Sequence, residues 1–210
     1  NRLTVPLVQR AYVAFPDAAR HFRRRTALAT GVPIRAGFEP RPYPRAEGEL
    51  HVLVLGGSQG AKSLNEAVPA ALARLEAPIR VTHQCGALHA NAVRKTYGAL
   101  APRFAWDVVE FIEDVPNALA SAHLVISRSG ASAVSEIAAI GRPALFVPYP
   151  YAAGDHQRRN AEALVSEGAA AVVLSSEASP ERLATELESL LSEPERLARM
   201  AAASRAWGRP

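Results

Sequence analysis

The 210-residue chain is 49% hydrophobic and 21% charged, with 24 Lys and Arg against 20 Asp and Glu for a formal net charge of +4. This composition excludes a disordered chain and suits one large domain, or one domain with a fragment of another. The single cysteine, Cys85, excludes an internal disulfide framework and fits a reducing compartment, while no run of about 18 apolar residues and no signal-peptide pattern occurs.

In chain order, residues 1–31 read as one helix and a short strand belonging to another unit. They carry the cluster Arg20 and Arg23 to Arg25, read first as a solvated face and second as a surface for anionic lipid or phosphate. Residues 32–48, with Pro33, Pro40, Pro42, Pro44, Gly37 and Gly48, read as an irregular linker. From there on, strand-length apolar runs alternate with segments of helical period. The strands are expected at Leu50–Leu55, Ile79–Gln84, Val108–Ile112, Leu124–Ser127, Ala144–Val147 and Ala170–Leu174. The helices are expected near 61–75, 87–100, 115–121, 131–140, 157–167, 180–192 and 195–206. Such alternation predicts an α/β fold with a doubly wound, parallel Rossmann-like sheet. Pro69 must kink the first of these helices or mark its start. Ser179-Pro180 reads as an N-cap followed by proline at the first helical position, with Leu183, Leu187, Leu190 and Leu191 as a buried stripe.

The most informative stretch is Leu124-Val-Ile-Ser-Arg-Ser-Gly-Ala-Ser-Ala-Val-Ser-Glu136, a strand, a small-residue turn and a helix carrying one acid. The helix start points free N–H groups at the turn and favours an anion there. Ser127, Ser129, Gly130 and Ser132 leave room for a phosphate. Glu136, about one and a half helical turns further on, is spaced to reach a sugar hydroxyl pair. These features suggest a nucleotide or nucleotide-sugar site. Leu53-Val-Leu-Gly-Gly-Ser-Gln-Gly60 is a second strand running into a glycine turn. It is not a P-loop, because Ala61 stands where that pattern requires glycine, and it lacks the dinucleotide G-x-G-x-x-G. Gln157 and Asn160, three apart near a helix start, could bind hexose hydroxyls or merely cap and solvate the helix. His21, His51, His83, His89, His123 and His156 show no metal-ligand spacing and read mostly as surface or strand-end residues. Cys85 reads as a buried strand-end residue, not a nucleophile.

In these motifs the chain resembles the bacterial transferases that add N-acetylglucosamine to undecaprenyl-pyrophosphoryl-N-acetylmuramoyl-pentapeptide. The matching stretches are Gly56-Gly-Ser-Gln-Gly-Ala61 with Leu64-Asn65, His83-Gln84, Glu110-Phe-Ile112 with Asp114, Arg128-Ser-Gly-Ala131, Val134-Ser-Glu-Ile-Ala138, Pro143-Ala-Leu-Phe-Val-Pro148, and Gln157 with Asn160-Ala161. They run in order over about residues 50–173.

The resemblance implies the C-terminal domain of a two-domain GT-B glycosyltransferase, over residues 49–210, that binds UDP-N-acetylglucosamine. UDP would meet Gly57 and Ser58, the main chain near Phe111 and Ile112, the helix start Ser129, Gly130, Ala131, Ser132 and Ala133, and Glu136 at the ribose. Gln59, Gln157 and Asn160 would meet the sugar. Arg35 matches the arginine after the interdomain strand, although Val32 stands where the family usually has asparagine. The resemblance further implies no cofactor or metal, no nucleic-acid partner, and a cytoplasmic enzyme lying peripherally on the inner face of the membrane with a lipid-linked acceptor. Residues 1–31 would be the end of the acceptor domain, whose remainder would hold the catalytic base, and the family's final helix would lie beyond Pro210. Alternatives are another GT-B UDP-sugar transferase or epimerase, or a non-catalytic UDP-sugar-binding module.

Overall fold

Alternating apolar strands and amphipathic helices assemble here into one parallel sheet covered on both faces. The computed structural model describes residues 8–15, 18–19, 22, 26–45, 48–100 and 102–208. Two short strands, β1 (Ala11–Val13) and β2 (Ala27–Ala29), pair in parallel as a separate ribbon. There follow β3 (Leu50–Leu55), α1 (Lys62–Leu72), β4 (Ile79–Gln84), α2 (Ala90–Leu100), β5 (Ala105–Val109), α3 (Val115–Ser121) and β6 (Leu124–Ser127). The chain continues through α4 (Ala131–Ile140), β7 (Ala144–Phe146), α5 (His156–Ser166), β8 (Ala170–Val172), α6 (Pro180–Leu191) and α7 (Pro194–Trp207).

The main sheet has the order β5-β4-β3-β6-β7-β8, with every neighbouring pair parallel. The chain builds outward from β3 to β5, returns, and builds the other way from β6 to β8. The order therefore reverses between β3 and β6, and their carboxyl ends flank the crevice where open α/β sheets bind ligands. Alternation along β3 sends Val52 and Val54 into one core cluster with Leu64, Val68, Leu183 and Leu187. It sends Leu53 into the other, with Leu119, Val134, Ile137 and Leu164. Burial on both faces is why the central strands read as continuous apolar runs.

Several elements differ from the sequence expectation. Strand β5 begins at Ala105, not Val108, so Phe111 and Ile112 lie in the following loop. As an edge strand only its Val108 is buried, and the apolar residues after it drew the assignment too far along the chain. Before Gly31, where one helix and one strand were expected, the described residues form two short strands and no α-helix. Arg20 and Arg23 to Arg25 lie outside the described residues. Pro69 neither begins nor ends α1. It sits buried within the helix, where its missing N–H removes the bond to Asn65 O, and one further turn follows. Ser179 caps α6 by accepting from Arg182 N, and Leu183, Leu187, Leu190 and Leu191 are buried as expected. Among the described residues no helix is long and apolar enough to cross a membrane.

Residues 32–45 run without regular secondary structure across the ends of α3 and α4, anchored by Phe38, which is only 2% exposed. Arg142 ties them down. It is fully buried, and donates Nε to Leu119 O (2.9 Å) and Nη2 to Ala120 O (2.8 Å) and Pro42 O (2.8 Å). Its Nη1 reaches Gly141 O (2.8 Å), Arg41 O (3.2 Å) and Ile140 O (3.3 Å). Leu119, Ala120, Ile140 and Gly141 end α3 and α4, where the helix dipoles concentrate partial negative charge. The cation is thus neutralised by carbonyls in place of a carboxylate. Burial lowers its pKa to about 10, opposed by the Tyr43 phenol, so it stays charged at neutral pH. Arg142→Met keeps the apolar volume but strips these carbonyls of their donor. It is expected to cost about 3–5 kcal/mol, read as a lowered midpoint of urea denaturation; an unchanged midpoint would contradict this role.

Candidate functional site

Leu55 and Ser127 are register partners, so the turns after β3 and β6 leave the sheet side by side. In the first, Gly56 N donates to Gln84 O (2.9 Å) and Gly60 N to Gly57 O (3.0 Å). A Cβ on Gly56 would lie 2.6 Å from Gln84 O, and one on Gly60 would lie 2.1 Å from Cys85 O. Those two glycines exist for close approach of main chain to main chain. Gly57, at φ 76°, faces open space and supplies only the left-handed bend. Behind the turn, Asn65 Nδ2 donates to Cys85 O (3.0 Å) while its Oδ1 meets His83 Nε2 (3.1 Å), and His83 Nδ1 meets the Tyr97 hydroxyl (3.2 Å). Burial lowers the His83 pKa to about 4 and raises that of the Cys85 thiol. Both are neutral structural groups.

The second turn is Arg128-Ser129-Gly130, which leads into α4. Neither α1 nor α4 carries a side-chain cap at its start, nor does α5. By contrast the helices after the edge strands β5 and β8 are capped, α3 by Asp114 and α6 by Ser179. The N–H groups of Ala131, Ser132 and Ala133 are therefore left for another acceptor. Ser129 Oγ is fully buried with no hydrogen-bond partner among the described residues. Arg128 spans the crevice: Nη1 donates to Val147 O (2.7 Å), Pro148 O (2.9 Å) and Ser175 Oγ (2.8 Å), and Nη2 to Ser63 Oγ (2.5 Å). All four acceptors are neutral. Its positive charge, lowered in pKa by burial, is not cancelled locally and favours an anion between the turns.

The remaining expected residues fall around this crevice. Gly57, Ser58, Gln59 and Ser132 are exposed at the carboxyl edge, and Phe111 is 56% exposed in the loop after β5, with Ile112 half-buried beside it. Glu136 is half-buried on α4, its Oε1 3.8 Å from Arg35 Nη2. Burial raises its pKa and Arg35 opposes the rise. Gln157 Oε1 accepts from Tyr149 N (2.9 Å), leaving its NH₂ group to donate elsewhere. Asn160 is buried, and its Nδ2 donates to Ser129 O (3.0 Å). It therefore braces the turn into α4, a task that its spacing from Gln157 does not reveal. A cavity of about 520 Å³ opens beside the crevice, lined by Arg35, Phe38, Arg41, Glu113, Asp114 and Asn117 among others.

The braces Asn65, His83 and Arg128 lie in the stretches that resemble the transferases, but their bracing roles are not readable from local pattern. Asn65 is polar on the buried face of α1, between Leu64 and Val68, and His83 continues the inward alternation of Ile79 and Val81. A polar residue in an apolar register was the available signal. His51, His83 and His123 do lie at strand ends, but all three are buried.

A parallel sheet whose order reverses between two phosphate-sized turns defines a Rossmann-like domain of the GT-B kind. A family model, the glycosyltransferase family 28 C-terminal domain, matches residues 51–208, and the chain belongs to that family. It is 47% identical over 210 residues to a Sorangium cellulosum (strain So ce56) protein named UDP-N-acetylglucosamine--N-acetylmuramyl-(pentapeptide) pyrophosphoryl-undecaprenol N-acetylglucosamine transferase, covering 99% of this chain and 52% of that relative. A protein of the same name from Paraburkholderia xenovorans (strain LB400) is 46% identical over 220 residues, covering 100% of this chain and 57% of its own. The crystal structure of Acinetobacter baumannii MurG matches with a TM-score of 0.82 at 35% identity, over 96% of this chain and 57% of that one. The chain spans about half the length of the curated relatives it matches.

The different surroundings of the two turn glycines give an internal comparison. Gly57→Ala is expected to cost about 1–2 kcal/mol, the ordinary penalty of a left-handed L-residue. Gly60→Ala adds a collision with Cys85 O and should cost clearly more in urea denaturation. Equal losses would show that the two main chains are not in forced contact.

Proposed function

We propose that this chain is the donor-binding half of an inverting N-acetylglucosaminyltransferase that uses UDP-N-acetylglucosamine. Residues 49–210 form the donor domain, 32–48 the interdomain linker and 1–31 the end of the acceptor domain. The observation that carries the reading is the pairing of two small-residue turns with uncapped helix starts at the reversal point, under the unneutralised charge of Arg128. The names of the full-length relatives supply the acceptor, undecaprenyl-pyrophosphoryl-N-acetylmuramoyl-pentapeptide. The complete enzyme works on the cytoplasmic face of the membrane.

In this reading the diphosphate meets Gly57, Ser58, the buried Ser129 hydroxyl and the N–H groups of Gly130 to Ala133. The main chain at Phe111 and Ile112 reads uracil, Glu136 accepts from the ribose hydroxyls, and Gln157 and Gln59 reach the hexose. The acceptor's hydroxyl oxygen attacks the anomeric carbon from the face opposite UDP, the bond to the β-phosphate oxygen breaks, and the configuration inverts. The hydroxyl proton passes to a base contributed from outside this segment, and the electron pair leaves on UDP. N–H groups fixed before the reaction stabilise that growing charge, each by about 3 kcal/mol where well placed. Because those groups are dipoles and hydroxyls, UDP is expected to bind in calorimetry with chelator present.

A carboxylate accepting both ribose hydroxyls contributes about 1.5–3 kcal/mol, or roughly 10- to 150-fold in affinity. Glu136→Gln should therefore weaken UDP substantially and 2′-deoxy-UDP much less. Equal UDP affinity for the parent and Glu136→Gln would sink the assignment.

The amides at the start of α5 are expected to separate. Gln157→Ala should weaken UDP-N-acetylglucosamine while sparing UDP, since its free NH₂ group serves the sugar. Asn160→Ala releases Ser129 O and should weaken both ligands. Selective loss of the sugar nucleotide in both variants would show that the Asn160 brace does not govern the phosphate turn.

A further inference from the structure

His51 lies at the start of β3 and His123 just before β6, so two buried imidazoles meet at the amino edge of the sheet, opposite the crevice. Their partners fix where the protons sit. The main-chain N–H of His51 donates to His123 Nδ1 (2.9 Å), which must therefore be bare. His123 Nε2 faces the Arg45 carbonyl (3.2 Å) and so donates. His123 is thus held as the neutral ring protonated at Nε2, and a second proton on Nδ1 would point straight at the His51 N–H. His51 is more tolerant. Its Nδ1 donates to Ser121 O (3.1 Å), while its Nε2 meets the Thr82 hydroxyl (2.9 Å), which accepts as readily as it donates.

The surroundings also disfavour a charged His123. Burial above all, and then the cations Arg80 and Arg142, hold its pKa below the ordinary imidazole value against the pull of the Arg45 carbonyl. Burial lowers that of His51 to about 4. Glu49 is engaged with Arg80 (3.9 Å), and Glu47 lies outside the described residues. The Tyr43 ring stands edge-on to His123 at 5.9 Å, its hydroxyl donates to His123 O (3.0 Å), and burial keeps that phenol protonated.

We propose that His123 is an acid-sensitive latch: its neutral ring fastens residues 43–45 to the amino edge of the sheet, and its protonation frees them while the sheet stays folded. A protonated ring has to swing away from the His51 N–H, and the Arg45 carbonyl then loses its donor. The release stops at Pro42, because Arg142 holds Arg41 O and Pro42 O with a charge that acid does not remove. The closed form excludes the proton and the open form takes it up. The latch is therefore fully favoured above the ordinary imidazole value of about 6.5 and weakens as pH falls below it, by up to about 25-fold in the opening constant between about pH 7 and about pH 5.

NMR of the ¹⁵N-labelled chain over that range tests this. At neutral pH the ring nitrogens of His123 should report a proton on Nε2 and none on Nδ1. On acidification the protection of the His51 amide against hydrogen exchange, corrected for intrinsic exchange, should fall by up to about 25-fold, with that of Leu53 unchanged. His123→Asn keeps an acceptor oxygen for the His51 N–H but does not titrate, and should abolish this pH dependence. His51→Asn, whose side-chain NH₂ can donate to Ser121 O, should retain it at the amide of position 51. A proton on His123 Nδ1 at neutral pH overturns the proposal, as does pH-independent protection of His51 in the parent, an equal loss at Leu53, or a pH dependence that survives in His123→Asn. If neither variant folds, the ring nitrogens and amide protection of the parent decide alone.

Discussion

The carboxyl edge of the sheet depends on how closely the main chain after β3 approaches the main chain after β4. Gly56 and Gly60 let it pass within contact of the Gln84 and Cys85 carbonyls, and Gly86 completes the fit from the far side, where a Cβ would lie 2.7 Å from Gly60 N. This approach lets the turn fold back over the sheet and deliver the start of α1 to the reversal point. Nothing apolar could hold two polar main chains together there. Asn65 does so, satisfying the Cys85 carbonyl while His83 satisfies Asn65 and the Tyr97 hydroxyl satisfies His83 in turn. A buried network of this kind is stabilising only when each member has its partner, which ties the shape of the turn to residues some distance from it.

Cations are handled in an unusual way on this sheet. Arg128 and Arg142 are each held by neutral oxygens, and the two residues flank the opposite ends of α4. At Arg142 the helix termini supply enough negative potential to keep the guanidinium buried. At Arg128 the acceptors are ordinary carbonyls and hydroxyls, so its field extends into the crevice. Glu136 shows the opposite economy, a carboxylate whose only charged neighbour within ion-pair range among the described residues is the exposed Arg35.

Much of the architecture was legible because it follows from period. Strands β3, β4 and β6 and helices α3 and α4 fall at the expected boundaries, since buried parallel strands are unbroken apolar runs and α4 ends at Gly141, left-handed at φ 79°. The edge strand β5 was misplaced for the complementary reason: a strand open on one side need not be apolar throughout, and Trp106 and Asp107 carry little signal. In the crevice, the small residues of the turns and the helix starts that follow them were legible because both are local features of the chain. Residues that act through long-range contacts did not announce themselves. Asn160 reads as half of a pair that binds hydroxyls or caps its helix, yet it is buried against a carbonyl 31 positions away, and nothing local marks Arg142, which is wholly enclosed.

Helix α4 is gripped at both ends. Its C-terminal end is locked by Arg142 to Arg41 and Pro42, and the turn at its other end is locked by Asn160 and Arg128. Ten residues of α-helix form a strut about 15 Å long, stiff against bending over that distance. The stretch around Pro42 and the turn at Ser129 and Gly130, far apart on the surface, are thus joined by one short stiff member held at both of its ends.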